Sequence, residues 1–235
     1  MFTMQILRKF APLTAAFLLS SSAAFAAEET TKTGIFDAIG QAGAIGYLII
    51  LMSVISLTLA IEHFVNIKRE KLAPPELIDE FEELFNEGQY QEAMEVCEAS
   101  PNFFTNVVAV GIRKLGHPYA TIEKALEEME DEEGIKLHQK IGYLSLIAGI
   151  GPMMGLFGTV VGMVGAFGSI ATAKGGVEPS AFAGDISMAL MTTVLGLVVS
   201  IPTTAFFVYF RNRVTLASLE IGAIVEDLFD RFRQA

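Results

Sequence analysis

The sequence predicts an all-α, polytopic membrane protein. It has three transmembrane helices and a helical cytoplasmic domain between the first and second. The second span extends as a long helix into the cytoplasm. Two observations carry this. Residues 38–61, 142–173 and 186–210 contain no Asp, Glu, Lys or Arg. About 20 apolar helical residues, at 1.5 Å rise each, cover the hydrocarbon core of a bilayer, and a soluble helix is seldom apolar all round for that length. The composition agrees, with 52% hydrophobic and only 18% charged residues. A net charge of −11 gives no basic face for nucleic acid.

Taken in order, residues 1–26 have the layout of a secretory signal peptide. Arg8 and Lys9 precede an apolar run from Phe10 to Leu19, and Ala24-Phe25-Ala26 forms a small-x-small site with cleavage expected after Ala26. An uncleaved apolar helix is the alternative. A short acidic segment, 27–43, leads to the first span at 44–64. Basic residues then set the orientation. Lys68, Arg69 and Lys71 follow the first span, Lys136 and Lys140 precede the second, and Arg211 and Arg213 follow the third. The positive-inside rule puts residues 65–141 and 211–235 in the cytoplasm, and segment 27–43 and loop 174–185 in the periplasm. The expected location is a bacterial inner membrane.

The 65–141 domain reads as short helices. Pro74-Pro75 opens one that runs to Asn86 and stops at Glu87-Gly88. Gln89 to Ala99 is a second, and Asn102 to Leu115, closed by Gly116, a third. Tyr119 starts a fourth that continues unbroken into the span at 142–173. Its acidic part, Glu123 to Glu133, forms a solvated stalk. The span at 186–210 leads into a cytoplasmic C-terminal helix, 211–235. Cys97 is the single cysteine, so no intramolecular disulfide forms, and it is expected to pack. No spacing suits a metal or cofactor, and no constellation suits an enzyme.

The second and third spans carry more pattern than an anchor needs. Gly151, Gly155, Gly158, Gly162 and Gly165 are spaced 4, 3, 4 and 3, which places them on one helix face as a packing seam. Thr159 sits beside it. In the third span Thr193, Gly196, Ser200 and Thr204 share a face, flanked by Thr192 and Thr203. Hydroxyls inside a membrane face protein or a watery path, or bond the carbonyl one turn back. Pro152 and Pro202 are expected kinks. No charge lies at depth, so an ion relay through this chain needs a carboxylate from a partner.

Two stretches resemble the ExbB/TolQ/MotA superfamily. Pro152 with Gly155-Leu156-Phe157-Gly158-Thr159-Val160-Val161-Gly162-Met163 is similar to the second-helix motif of ExbB and TolQ proteins. Ala189-Leu190-Met191-Thr192-Thr193-Val194-Leu195-Gly196-Leu197-Val198-Val199-Ser200-Ile201-Pro202 is similar to the third. The resemblance implies a homo-oligomeric ring, pentameric in the family, around a one-span ExbD/TolR-like partner that carries a membrane Asp. It implies that ion flow, of protons foremost, drives work on the cell envelope. Thr159 and Thr193 correspond to the channel threonines, with Thr192 and Ser200 also expected to line the path. Met188 stands where enterobacterial relatives carry Glu. A non-conducting scaffold and a gliding- or flagellar-type stator are the alternatives.

Overall fold

In the computed structural model of the chain, residues 43–172 and 179–233 are described, and every regular element among them is an α-helix. The expected signal peptide, its cleavage point at Ala26, and part of the 174–185 loop lie outside the described residues. Helix α1 is Gly43–Asn66, long enough at 24 residues to span about 36 Å.

Four short helices follow: α2 (Arg69–Leu72), α3 (Pro75–Glu87), α4 (Tyr90–Ala99) and α5 (Phe103–Arg113). Their ends follow from local chemistry. Pro75 opens α3, where its missing N–H costs nothing. Gly88 closes it at φ +74°, a left-handed turn that a side chain would strain. Asn102 caps α5 reciprocally with Thr105. The Thr105 N–H donates to Asn102 Oδ1 at 3.0 Å, and the Asn102 N–H donates to Thr105 Oγ1 at 2.8 Å.

Two long helices complete the fold. Helix α6, Tyr119–Thr172, runs 54 residues without interruption, about 81 Å. Helix α7, Pro179–Asp230, runs 52 residues. It starts inside the 174–185 region that the sequence reading leaves as loop, at a proline suited to a first helical position. It also joins 186–210 to the C-terminal segment as one helix. α1, α6 and α7 are each long and apolar enough to cross a membrane.

The pairing of α6 with α7 organises everything else, and α1 packs against both. Along the non-spanning part of α7, the buried residues Phe210, Val214, Ala217, Ile221, Val225 and Phe229 recur every three or four positions. That stripe carries the core from the membrane end of α7 into the small helical domain. There Phe229 meets Phe85 edge to face at 5.3 Å, and Phe81 meets Phe104 at 5.5 Å. Cys97 is buried in this core, and burial pushes its thiol up to about 12.

Candidate functional site

The close approach of α6 and α7 depends on residues without side chains. A Cβ on Gly155 would lie 2.9 Å from Thr193 Cα, and one on Gly162 would lie 2.6 Å from Ala189 Cβ. Gly151 faces Gly196 and Ser200, and Gly158 faces the Thr192 side chain. Gly165, expected in the same seam, is not part of it. It is exposed with nothing within 4 Å, and buried Ala166 takes the next place. From Gly162 a step of four, not three, keeps the chain facing α7.

Four hydroxyls converge on this contact. Thr159 Oγ1 and Thr193 Oγ1 lie 2.5 Å apart, both half-buried. Thr159 Oγ1 is 3.2 Å from both Gly155 O and Ala189 O, and Thr193 Oγ1 is 3.2 Å from Gly155 O. Each hydroxyl has one proton. When Thr159 donates to Thr193, Thr193 donates to Gly155 O. When Thr193 donates to Thr159, Thr159 donates to either carbonyl. The pair has two proton arrangements of similar geometry, and in each both protons are used within the chain, so it offers lone pairs to an incoming donor and donates to a third group only when one hydroxyl turns away from its carbonyl.

Thr192 and Ser200 are placed differently. Both are buried in the helix contact. Thr192 donates to Ala189 O at 2.7 Å, and Ser200 donates to Ala148 O. Their hydroxyls are engaged inside the protomer. Pro152 and Pro202 sit within helices that continue through them. Pro152 has no N–H to offer Ala148 O, and Ser200 fills that vacancy.

A further polar link was not legible as a site in the sequence. Ser56 Oγ of α1 lies 2.6 Å from Thr203 Oγ1 of α7, and both residues are buried. Thr203 also donates to Val199 O at 2.7 Å, so Ser56 supplies the proton between the two. Ser56 is one of three mid-span hydroxyls, with Ser53 and Thr58, and nothing local singles it out. Among the described residues, no group of His, Cys, Asp and Glu side chains could hold a metal ion.

Three long apolar helices, the second and third joined by a glycine and threonine seam, with a helical domain inserted between the first two, define a class of polytopic membrane protein. Comparison with known proteins identifies which. The model of the MotA/TolQ/ExbB proton channel family matches residues 99–222, more than half of the sequence, and the chain belongs to that family. Among its relatives is an ExbB homolog, named a biopolymer transport protein, from Methanothermobacter thermautotrophicus. It is 27% identical over 174 residues, covering 73% of this chain and 61% of the relative. The biopolymer transport protein ExbB of Xanthomonas campestris pv. campestris is 32% identical over 111 residues, 47% of this chain and 44% of that protein. The Tol-Pal system protein TolQ of Haemophilus influenzae is 32% identical over 113 residues, 47% of this chain and 46% of that protein. The chain thus spans less than two thirds of these relatives' lengths. In fold it is similar to the solved structure of C. jejuni MotAB, with a TM-score of 0.53 at 16% identity. That likeness covers 95% of this chain and 89% of the other.

Proposed function

We propose that this chain is the ring-forming, ion-conducting subunit of a motor in the bacterial inner membrane. Several copies, five by family resemblance, surround a one-span ExbD/TolR-like partner that carries a membrane Asp. The basic residues flanking the spans orient residues 65–141 and the end of α7 toward the cytoplasm. The work falls on outer-membrane transport or envelope integrity, as the names of the ExbB and TolQ relatives suggest for those proteins.

The single observation that carries this reading is the half-buried Thr159–Thr193 pair. A carboxylate arriving beside it accepts from the hydroxyl that turns its proton away from the backbone carbonyl. A carboxylic acid arriving there donates to the other, and the pair inverts to suit either. Hydrogen bonds of this kind stabilise both protonation states of a buried acid. The acid can then load and unload an ion without leaving the membrane. Thr192 and Ser200 support the reading as anchors that hold α6 against α7.

One observation favours a scaffold instead: each seam hydroxyl already has a partner within the chain. Purifying the complex with its one-span partner separates the two readings. Native mass measurement would show several copies of this chain per assembly, and ion flux would vanish when the partner's membrane Asp is changed to Asn. Flux of the same size after that change sinks the motor reading.

A further inference from the structure

We infer that the groove between α6 and α7 below the membrane receives a basic, amphipathic segment of the one-span partner, an inference that rests on the ring and the orientation proposed above. The groove has a volume of about 560 Å³. It opens at His138 and Thr215, about one turn from Lys140 and Arg211 at the membrane boundary, and runs down to Tyr119 and Glu226. The described residues that line it include Glu123, Glu127, Glu130, Asp131 and Glu226, and no Lys or Arg. Among the described residues, none of these five carboxylates makes an ion pair. Apolar side chains stand beside the acids. Ile135 is 56% exposed and Leu219 67%, and with Leu216 they are the large apolar side chains that α6 and α7 expose outside their spans. Ser218, which also lines the groove, has a hydroxyl without a hydrogen-bond partner among the described residues.

The groove stands on the same side of the helix pair as the threonines. Gly162 meets Ala189, Gly155 meets Thr193 and Glu130 meets Gly222, so α6 and α7 run antiparallel. Glu130 lies 29 residues before Thr159, and Gly222 lies 29 residues after Thr193. At 100° per residue this is about eight full turns plus 20° on each helix. A partner helix that meets the threonine pair therefore leaves the membrane facing the groove. A one-span protein carries its Lys and Arg on the cytoplasmic flank of its span. That flank brings positive charge to the unpaired carboxylates, and its apolar positions cover Ile135 and Leu219. The other candidate occupant is the stalk of a neighbouring copy. Between Tyr119 and His138 that stalk carries seven acidic residues against Lys124 and Lys136, and both lysines are already in ion pairs within the chain. Like charges oppose such a contact.

The test uses the assembled complex of the full chain with its one-span partner. One preparation carries a photo-crosslinking side chain at Leu219, and another carries it at Leu197. Leu197 is exposed one turn from Thr193 and reports the partner's span inside the ring. The products are identified by mass. Leu219 should join the Lys- and Arg-rich flank of the partner next to its span. With Glu127→Gln and Glu226→Gln combined, that yield should fall about threefold at low ionic strength, the scale of two exposed ion pairs. The Leu197 product should be unchanged, and the difference at Leu219 should disappear near 1 M salt, where the Debye length is about 3 Å. If Leu197 captures the partner while Leu219 captures only a second copy of this chain, lipid or nothing, the inference falls and the ring reading stands. A partner product at Leu219 whose yield is the same in the double variant also overturns it, since the segment is then held without the carboxylates. A purified assembly in which neither position captures a one-span protein overturns both.

Discussion

Ser200 donates its hydroxyl proton to the carbonyl of Ala148, the carbonyl that Pro152 leaves without a backbone donor one turn later on α6. A defect in one helix is thus repaired by the side chain of another. Removing the hydroxyl leaves a polar group unpaired in an apolar setting. Ser200→Ala should lower stability by about 1–2 kcal/mol, read from thermal unfolding in detergent. In a Pro152→Ala background, which restores the backbone N–H, the same change should cost clearly less. Equal costs in the two backgrounds would show that the bond does not serve the Pro152 gap.

The seam glycines differ sharply in what surrounds them. Gly155→Ala pushes a methyl against α7 backbone 2.9 Å away and should destabilise by about 1–3 kcal/mol. Gly165→Ala enters open space and should be neutral or raise the melting temperature, since Ala is the better helix former. Matched unfolding curves of the two variants check this directly.

These two residues also mark the limit of what the sequence reveals. The spans, the stops at Gly88 and Gly116, and the continuity of α6 from Tyr119 were legible because breakers and charges are local signals. The sequence places Gly165 in the seam because a 4-3-4-3 pattern fits a helix almost as well as the observed path through Ala166. Only the partner helix decides between them. The start of α7 at Pro179 carries a local signal, a proline at a first helical position, whereas the single turn α2 is too short for a hydrophobic period to show. Ser56 gains meaning only from Thr203, 147 residues away. Glu130 read as one more solvated acid in a charged run, because nothing local announces that Gly222 leaves room for its carboxylate.

That niche has a pH consequence. Burial pushes the Glu130 carboxyl from its ordinary 4.5 up to about 7, and the charges of Glu127, Asp131 and Glu226 add to the rise. The folded state therefore holds a proton that the unfolded state has released. The stabilisation is fully present below about 4.5 and is lost as pH rises through about 7. Because the group is only half-buried, solvent screening reduces the effect to on the order of 1 kcal/mol. Melting temperature measured across this window should fall with rising pH more steeply in wild type than in Glu130→Gln. Identical slopes would show that Glu130 is solvated.

Cys97 offers a simpler check of the helical domain. With its thiol buried and pushed up to about 12, almost none is thiolate at neutral pH. A maleimide reagent at pH 7.5 should leave the folded protein unlabelled over minutes and label it fully in denaturant. Rapid labelling of the folded protein would contradict the packed core around Phe85 and Phe104.

The central claim is that the Thr159–Thr193 pair handles ions, and flux through vesicles containing the assembled complex tests it most directly. Thr193→Val keeps the shape and removes the hydroxyl. The account predicts an intact assembly, by native mass, in which partner-dependent flux falls at least tenfold. Thr159→Val and the double variant should be no worse, because the pair acts as a unit. Wild-type flux from an intact Thr193→Val complex would contradict the account and leave the two threonines as packing residues.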